Sequence, residues 1–448
     1  MQNNARNLLL VSVIAAAVVV VAVLVVTRLY RGDDQLLRDA LFESELITPN
    51  ADGETDVTRI QYEITQDALV SIYFEDETGE RYYFREDERR GADAYSVLFS
   101  GVVDGYRTAS EEGYEGEIVE RLLQDGRYRW VIEAVDDDGE TASAEGTLTV
   151  TDADTALPLI AGYEFSTDLF TPNRDGIDDR VRIQFDLKKD AETLRVYLLT
   201  PDGTQLEVSE LPRNIPPNSE GRHIFDYEGG VDLGATPPED GTYQIVAFAA
   251  DAEGQKVQIA RDLTLDYGGV PRAEVVSPVV GATVEFSTTA VQLCDTIFFT
   301  ATVRNYGEVP IRTTGPEPGT VYDTDWNYNT LGWQTESGAF RFAIGYEDEI
   351  RNYGFRWATG SREELTKIGD HYYLMPDQQV VISGGIRVVN ELGERNPQPM
   401  FAGLIHEDVE IAQFNDRVDP KAVTIDYPPD EEFGRCEPRE VPVRNASN

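Results

Sequence analysis

Residues 46–64 read LITPNADGETDVTRIQYEI, and residues 169–187 read LFTPNRDGIDDRVRIQFDL. At a constant offset of 123 the two stretches agree at ten of 19 positions, including T-P-N-x-D-G, the later Asp56 and Asp179, and R-I-Q. The agreement returns downstream, where DGRYRWVIEAVDDDGE at 125–140 matches DGTYQIVAFAADAEGQ at 240–255. One module of about 105 residues is therefore used twice. Inside each copy, short runs such as VRIQFDL, LRVYLLT and YQIVAFAA alternate apolar and polar residues between Asp-Gly, Thr-Gly and Pro-rich breaks. Period-two alternation with frequent turn signals predicts a β-sandwich. The predicted units are 46–151 and 163–267, with short linkers at 152–162 and 266–273.

Upstream of the repeats, residues 8–27 form an uncharged apolar run, LLLVSVIAAAVVVVAVLVVT. As a helix these 20 residues would span roughly 30 Å, the thickness of a bilayer core. A cleaved signal is the other reading, with Arg6 as its basic flank and Ala15 and Ala17 as a small-residue pair. A signal core is usually about 7–15 residues, so length favours a permanent transmembrane helix. Arg28 and Arg31 oppose Arg6, and charge alone does not orient the span. The expected order is a short tail at 1–7, a membrane helix at 8–27, and a stalk at 28–45 in which Gln35–Glu43 could extend the helix. Ser110–Leu123 could hold a helical turn or two.

The chain carries 82 acidic and 38 basic residues, a net charge of −44, and only five of the bases are lysines. Such a polyanion repels nucleic acid and anionic lipid at long range, which excludes both as partners of the acidic part. The charge suits a solvated exported surface, and it also suits high salt. The only cysteines, Cys294 and Cys436, fall in the last third of the chain, where a disulfide between them is expected if that part is exported. An Asn445-Ala446-Ser447 sequon matters only in a glycosylating host.

The second repeat resembles the immunoglobulin-like domain of flagellar hook-capping proteins and of the carboxy-terminal domains of bacterial surface and gliding-associated proteins. The residues that carry the resemblance are T-P-N-x-D-G-x-x-D, R-I-Q and an apolar position, the Pro201-Asp202-Gly203 hairpin, and D-G-T-Y leading to A-x-D-x-x-G. The first repeat follows the pattern apart from a charged insertion between Arg81 and Glu120. Residues 270–428, with TIFFTATVRNYGEVP at 296–310 and YYLMPDQQVVISGGIRV at 372–388, resemble the cell-adhesion-related domains of the CARDB type. The resemblance implies display and assembly modules. Within this third unit an insertion at about 312–371 holds three of the four tryptophans, Trp326, Trp333 and Trp357. An acidic, proline-bearing tail follows at 429–448.

Two constellations could bind ligands. Asn50, Asp52 and Asp56 in the first copy, and Asn173, Asp175, Asp178 and Asp179 in the second, crowd hard oxygen atoms into one loop, as a Ca²⁺ site requires. The same residue types also build a tight turn without any metal. In the insertion, Trp326, Trp333 and Trp357 beside Asp323 and Asp325 are the residues of a sugar platform, and equally of a domain core. The three histidines, His223, His371 and His406, show no zinc spacing, and no nucleophile motif or phosphate loop is present. His406-Glu407-Asp408 ends a predicted strand and reads as a solvated edge.

The sequence thus predicts a mainly β, non-enzymatic, single-pass membrane protein with three immunoglobulin-like β-sandwich domains outside the membrane. Its expected role is structural or adhesive, with a protein or glycan partner at the third domain. A carbohydrate-binding surface protein and an accessory subunit of a membrane complex are the alternatives.

Overall fold

The computed structural model describes residues 35–214, 216–350, 352–427 and 436–444. The apolar run at 8–27, its flanks to residue 34 and the sequon lie outside the described residues. Among the described residues no helix is long and apolar enough to cross a membrane. The helices there are single 3₁₀ turns of three residues, Ala109–Glu111, Val231–Leu233 and Gln413–Asn415. Such a turn rises about 6 Å against roughly 30 Å of hydrocarbon. The expected fold class is corrected, for the described residues, to a mainly β fold in which no helix can cross a membrane, and the expected single-pass membrane localisation has no support among them.

Three large hydrophobic cores organise the described residues, with a small fourth cluster of Ala343, Tyr353, Phe401 and Ile405 in the last unit. In the first unit a sheet of Leu37–Phe42, Thr58–Ile64 and Asp93–Phe99 faces a five-stranded sheet whose centre is Thr141–Val150, Gly126–Asp136 and Ala68–Glu75. Thr58–Ile64 alternates strictly, with Thr58, Ile60, Tyr62 and Ile64 buried and the residues between them turned out. That alternation is what buries one face of a two-layer sandwich. The stalk expected at 28–45 is in part the first strand of this unit. Leu37 and Phe42 point inward, and Phe42 stacks on Trp130 with ring centroids 4.6 Å apart. Burial of these side chains overrides any helical continuation.

The second unit repeats the plan. Ile160–Phe165, Val181–Leu187 and Gly221–Tyr227 form one layer, and Thr193–Leu199, Gly241–Ala250 and Lys256–Leu265 the core of the other. It begins at Ile160, three residues before the predicted boundary. The third unit packs a sheet built on Thr296–Asn305 and Gln379–Arg387 against a larger one built on Val418–Asp426, Gln398–His406 and Phe340–Tyr346.

The charged insertion of the first repeat becomes the bridge to the second. After one 3₁₀ turn, Glu117–Leu122 runs antiparallel to Lys256–Leu265 and extends the second unit's sheet, with Ile118 opposite Val257. Ile118 belongs to the second unit's core. The helical turns expected over Ser110–Leu123 are thus reduced to one, because the second unit's sheet edge recruits Glu117–Leu122 as a strand. Inside the first unit, Glu111 and Arg121 pair at 2.8 Å, both buried.

Candidate functional site

Apart from the exposed Asp178, each candidate acidic or amide ligand of the repeated loop accepts a backbone amide through its side chain, which explains the motif residue by residue. In the second copy Asn173 Oδ1 accepts the Asp175 amide at 3.0 Å, and Asp175 Oδ1 accepts the Ile177 amide at 2.8 Å. Asp179 accepts the amides of Asn173 at 3.0 Å and Gly176 at 2.5 Å. Thr171 Oγ1 donates to the Ile177 carbonyl. The first copy repeats the scheme: Asn50 receives Asp52, Asp52 receives Glu54, and Asp56 receives Asn50, Ala51 and Gly53. Gly53 and Gly176 sit at φ +88° and +83°, the left-handed region where glycine is strain-free. These oxygen atoms face N–H donors, and among the described residues no group of three or more His, Cys, Asp or Glu is placed to hold a metal ion.

The two copies of the loop differ in what lies on top of them. Asp52 is exposed, whereas Asp175 is 4% exposed because the third unit covers it. Arg312 Nε donates to the Asp175 carbonyl at 2.6 Å, and the Tyr373 hydroxyl donates to Asp175 Oδ2 at 2.9 Å. His406 Nε2 lies 2.7 Å from the Arg174 carbonyl. Burial holds His406 down at about 4, so at neutral pH the ring is uncharged and its Nε2–H serves that carbonyl. Burial and the neighbouring Asp175 push the Asp179 carboxyl up to about 6. Two glycines meet at this joint. A Cβ on Gly338 would lie 2.1 Å from the Asp175 carbonyl carbon, and one on Gly176 would lie 2.2 Å from the Ser337 carbonyl oxygen. Asp178 stays exposed beside an open acidic hollow between the units that also includes Asp232 and Glu410.

The joint between the first and second units is equally specific. The fully buried Gln255 donates from Nε2 to the carbonyls of Asp154 and Ala156 and to Asp251, while its Oε1 accepts the Leu122 amide. Lys189 pairs with Asp154, Asp251 and Glu253 at 2.8–3.1 Å. The Asp-Gly turns also clamp the linkers. Asp125 accepts the amides of Asp152 and Ala153, and Asp240 those of Tyr267 and Gly268.

In the third unit the aromatic insertion divides. Trp357 is fully buried, edge-on to Phe299 and Tyr322, and belongs to the core. Trp326 and Trp333 are half-buried at the surface. Asp323 is buried and pairs with Arg387 at 3.3 Å and Arg439 at 3.0 Å, while Asp325 is exposed. Cys294 and Cys436 form a disulfide.

The solvated edge expected at His406-Glu407-Asp408 is overturned for its first two residues. Glu407 is 2% exposed and binds Arg356 through both oxygens at 2.7 Å and Arg341 at 3.2 Å. The fully buried Arg341 and the half-buried Arg356 require a buried carboxylate, so the strand end turns inward. Sequence reading missed this cluster together with Arg312, Tyr373 and Gln255. Only the arginines inside the apolar strand FRFAIGY and beside Trp357 hint at it.

No family model matches this chain, and no curated protein matches it. Solved structures that align with it include a Ca²⁺-stabilised adhesin with which an Antarctic bacterium binds ice, at 13% identity and a TM-score of 0.26, covering 88% of this chain and 74% of that one. A tetra-tandem repeat from the extending region of a large adhesion protein aligns at 12% identity and 0.21, covering 86% and 73%. A Bacteroides ovatus glucan-utilisation protein in complex with a mixed-linkage heptasaccharide aligns at 11% and 0.15, covering 81% and 61%. At these scores the likeness carries no functional argument, and function is argued below from this chain's own geometry.

Proposed function

We propose that this protein is a non-enzymatic structural or adhesive protein, in which two repeated sandwiches act as a spacer and the third as a recognition head. One observation carries the reading: both joints are built from specific buried contacts rather than free linkers. The first unit contributes a strand to the second unit's sheet, and the second unit's repeat loop is enclosed by Arg312, Tyr373 and His406 of the third. Inter-domain linkers that carry no function usually stay loose and polar. The display-module resemblance of the repeats supports the same reading, as does the disulfide, which belongs to an oxidising compartment.

Beads coated with the whole chain should attach to cell-envelope material from the producing organism. Removing the third unit should abolish attachment, and removing the first should preserve it. Attachment that survives loss of the third unit would assign recognition elsewhere.

A further inference from the structure

Residues 437–444 lie along the surface of the third unit as a strap. Its root is the Cys294–Cys436 disulfide, and Arg387 donates to the Glu437 carbonyl at 2.9 Å. Along its length the strap places two arginines on the two half-buried tryptophans. The Arg439 guanidinium lies 5.4 Å from the Trp326 ring centre and pairs with Asp323. The Arg444 guanidinium lies 4.2 Å over Trp333, pairs with Glu336 at 3.5 Å, and its amide donates to Leu331.

Arg444 also divides a cleft. A cavity of about 270 Å³ and a neighbouring one of about 180 Å³ share Glu317, Trp333, Arg362 and Arg444 as walls. Withdrawing the Arg444 side chain would uncover the face of Trp333 that both cavities share, beside the Arg362–Glu317 ion pair that also lines both. The larger cavity also has Tyr372 in its wall, with Arg362 5.7 Å from that ring. With Arg444 withdrawn, its acidic groups, Glu317, Glu336 and Asp370, outnumber its basic groups, Arg362 and Lys367, by one. Aromatic faces beside mixed donors and acceptors fit the apolar face and hydroxyls of a pyranose ring. That excess disfavours an anionic ligand, and a neutral ring needs no charge of its own to use the aromatic face.

We propose that this cleft is a binding site for a neutral saccharide and that the strap is its tethered cover, with Arg444 occupying the face of Trp333 that the sugar ring takes. The inference rests on the reading of the third unit as the recognition head and names its ligand class. An exposed cation–π contact and an exposed ion pair each amount to no more than about tenfold in an equilibrium constant, so a sugar ring can displace the arginine.

The test uses the full chain, comparing the wild type with Arg444→Ala and with Arg439→Ala/Arg444→Ala. Cellohexaose, maltohexaose and chitohexaose are titrated into the millimolar range, with calorimetry and tryptophan fluorescence as readouts. Arg439 and Arg444 are surface residues, and an unchanged thermal melt confirms the fold. The proposal expects at least one oligosaccharide to bind the double variant about tenfold more tightly than the wild type. Adding Trp333→Ala should abolish that gain. Absence of binding by the double variant to all three sugars, or binding indifferent to Trp333→Ala, overturns the proposal. If bead attachment through the third unit persists in that case, the head assignment stands and the saccharide site alone is lost.

Discussion

Glu407 is a buried carboxylate that two arginines of the third unit depend on. Its carboxylate neutralises Arg341 and Arg356, and Arg341 is itself fully buried and donates to the carbonyls of Thr314 and Gln334. Removing one partner of a buried ion pair leaves an uncompensated charge, a loss of about 3–5 kcal/mol. Glu407→Ala should therefore lower the third unit's unfolding free energy by about that amount in guanidinium titration. A loss of under about 1 kcal/mol would place the network in the class of surface pairs. Glu349 makes the third unit's stability depend on pH. Burial pushes its carboxyl up from 4.5 to about 7, against the Gly354 amide it accepts. The folded state thus holds the proton more tightly than the unfolded chain. The stability this contributes is complete below about 4.5 and is lost as pH rises through 7. Glu349→Gln should flatten that part of the stability-versus-pH curve.

At the scale of elements, the repeat loop serves as a joint whose strength can be measured. Gly338→Ala would drive a Cβ into the Asp175 backbone at a φ of +80°, where neither side can yield. Calorimetry should then show the second and third units melting as separate transitions, while each keeps its own core. Tyr373→Phe removes the hydroxyl from the buried Asp175 and should weaken the same coupling by about 1.5–3 kcal/mol. Calcium should leave the melting temperature unchanged, because the loop oxygens already accept backbone amides; a calcium-dependent rise lost in Asp175→Ala would contradict that geometry. The strands and turns of the repeats were legible because alternation and Asx turns are local signals. The joints were not, because Arg312 and Tyr373 lie 137 and 198 residues from Asp175 in sequence. Nor could periodicity tell the core Trp357 from the surface Trp326 and Trp333, since all three sit in the same aromatic-rich insertion. The strand at Leu37–Phe42 went unread because it precedes the repeat that defines the module.

For the whole molecule, the sandwich class was plain from the repeat, while the welding of the units depends on features the two copies do not share. The first copy's insertion pairs with the second unit, and only the second copy's loop is buried by a following unit. Under the proposed role, such welded units would transmit position from one end to the head, which flexible linkers would lose. The most direct measurement is single-molecule energy transfer between one dye on the first unit and one on the third, in the wild type and in Gly338→Ala. The welded arrangement predicts a single narrow distance distribution in the wild type that broadens in the variant. A broad distribution in the wild type, unchanged by Gly338→Ala, would show independently moving units and contradict it.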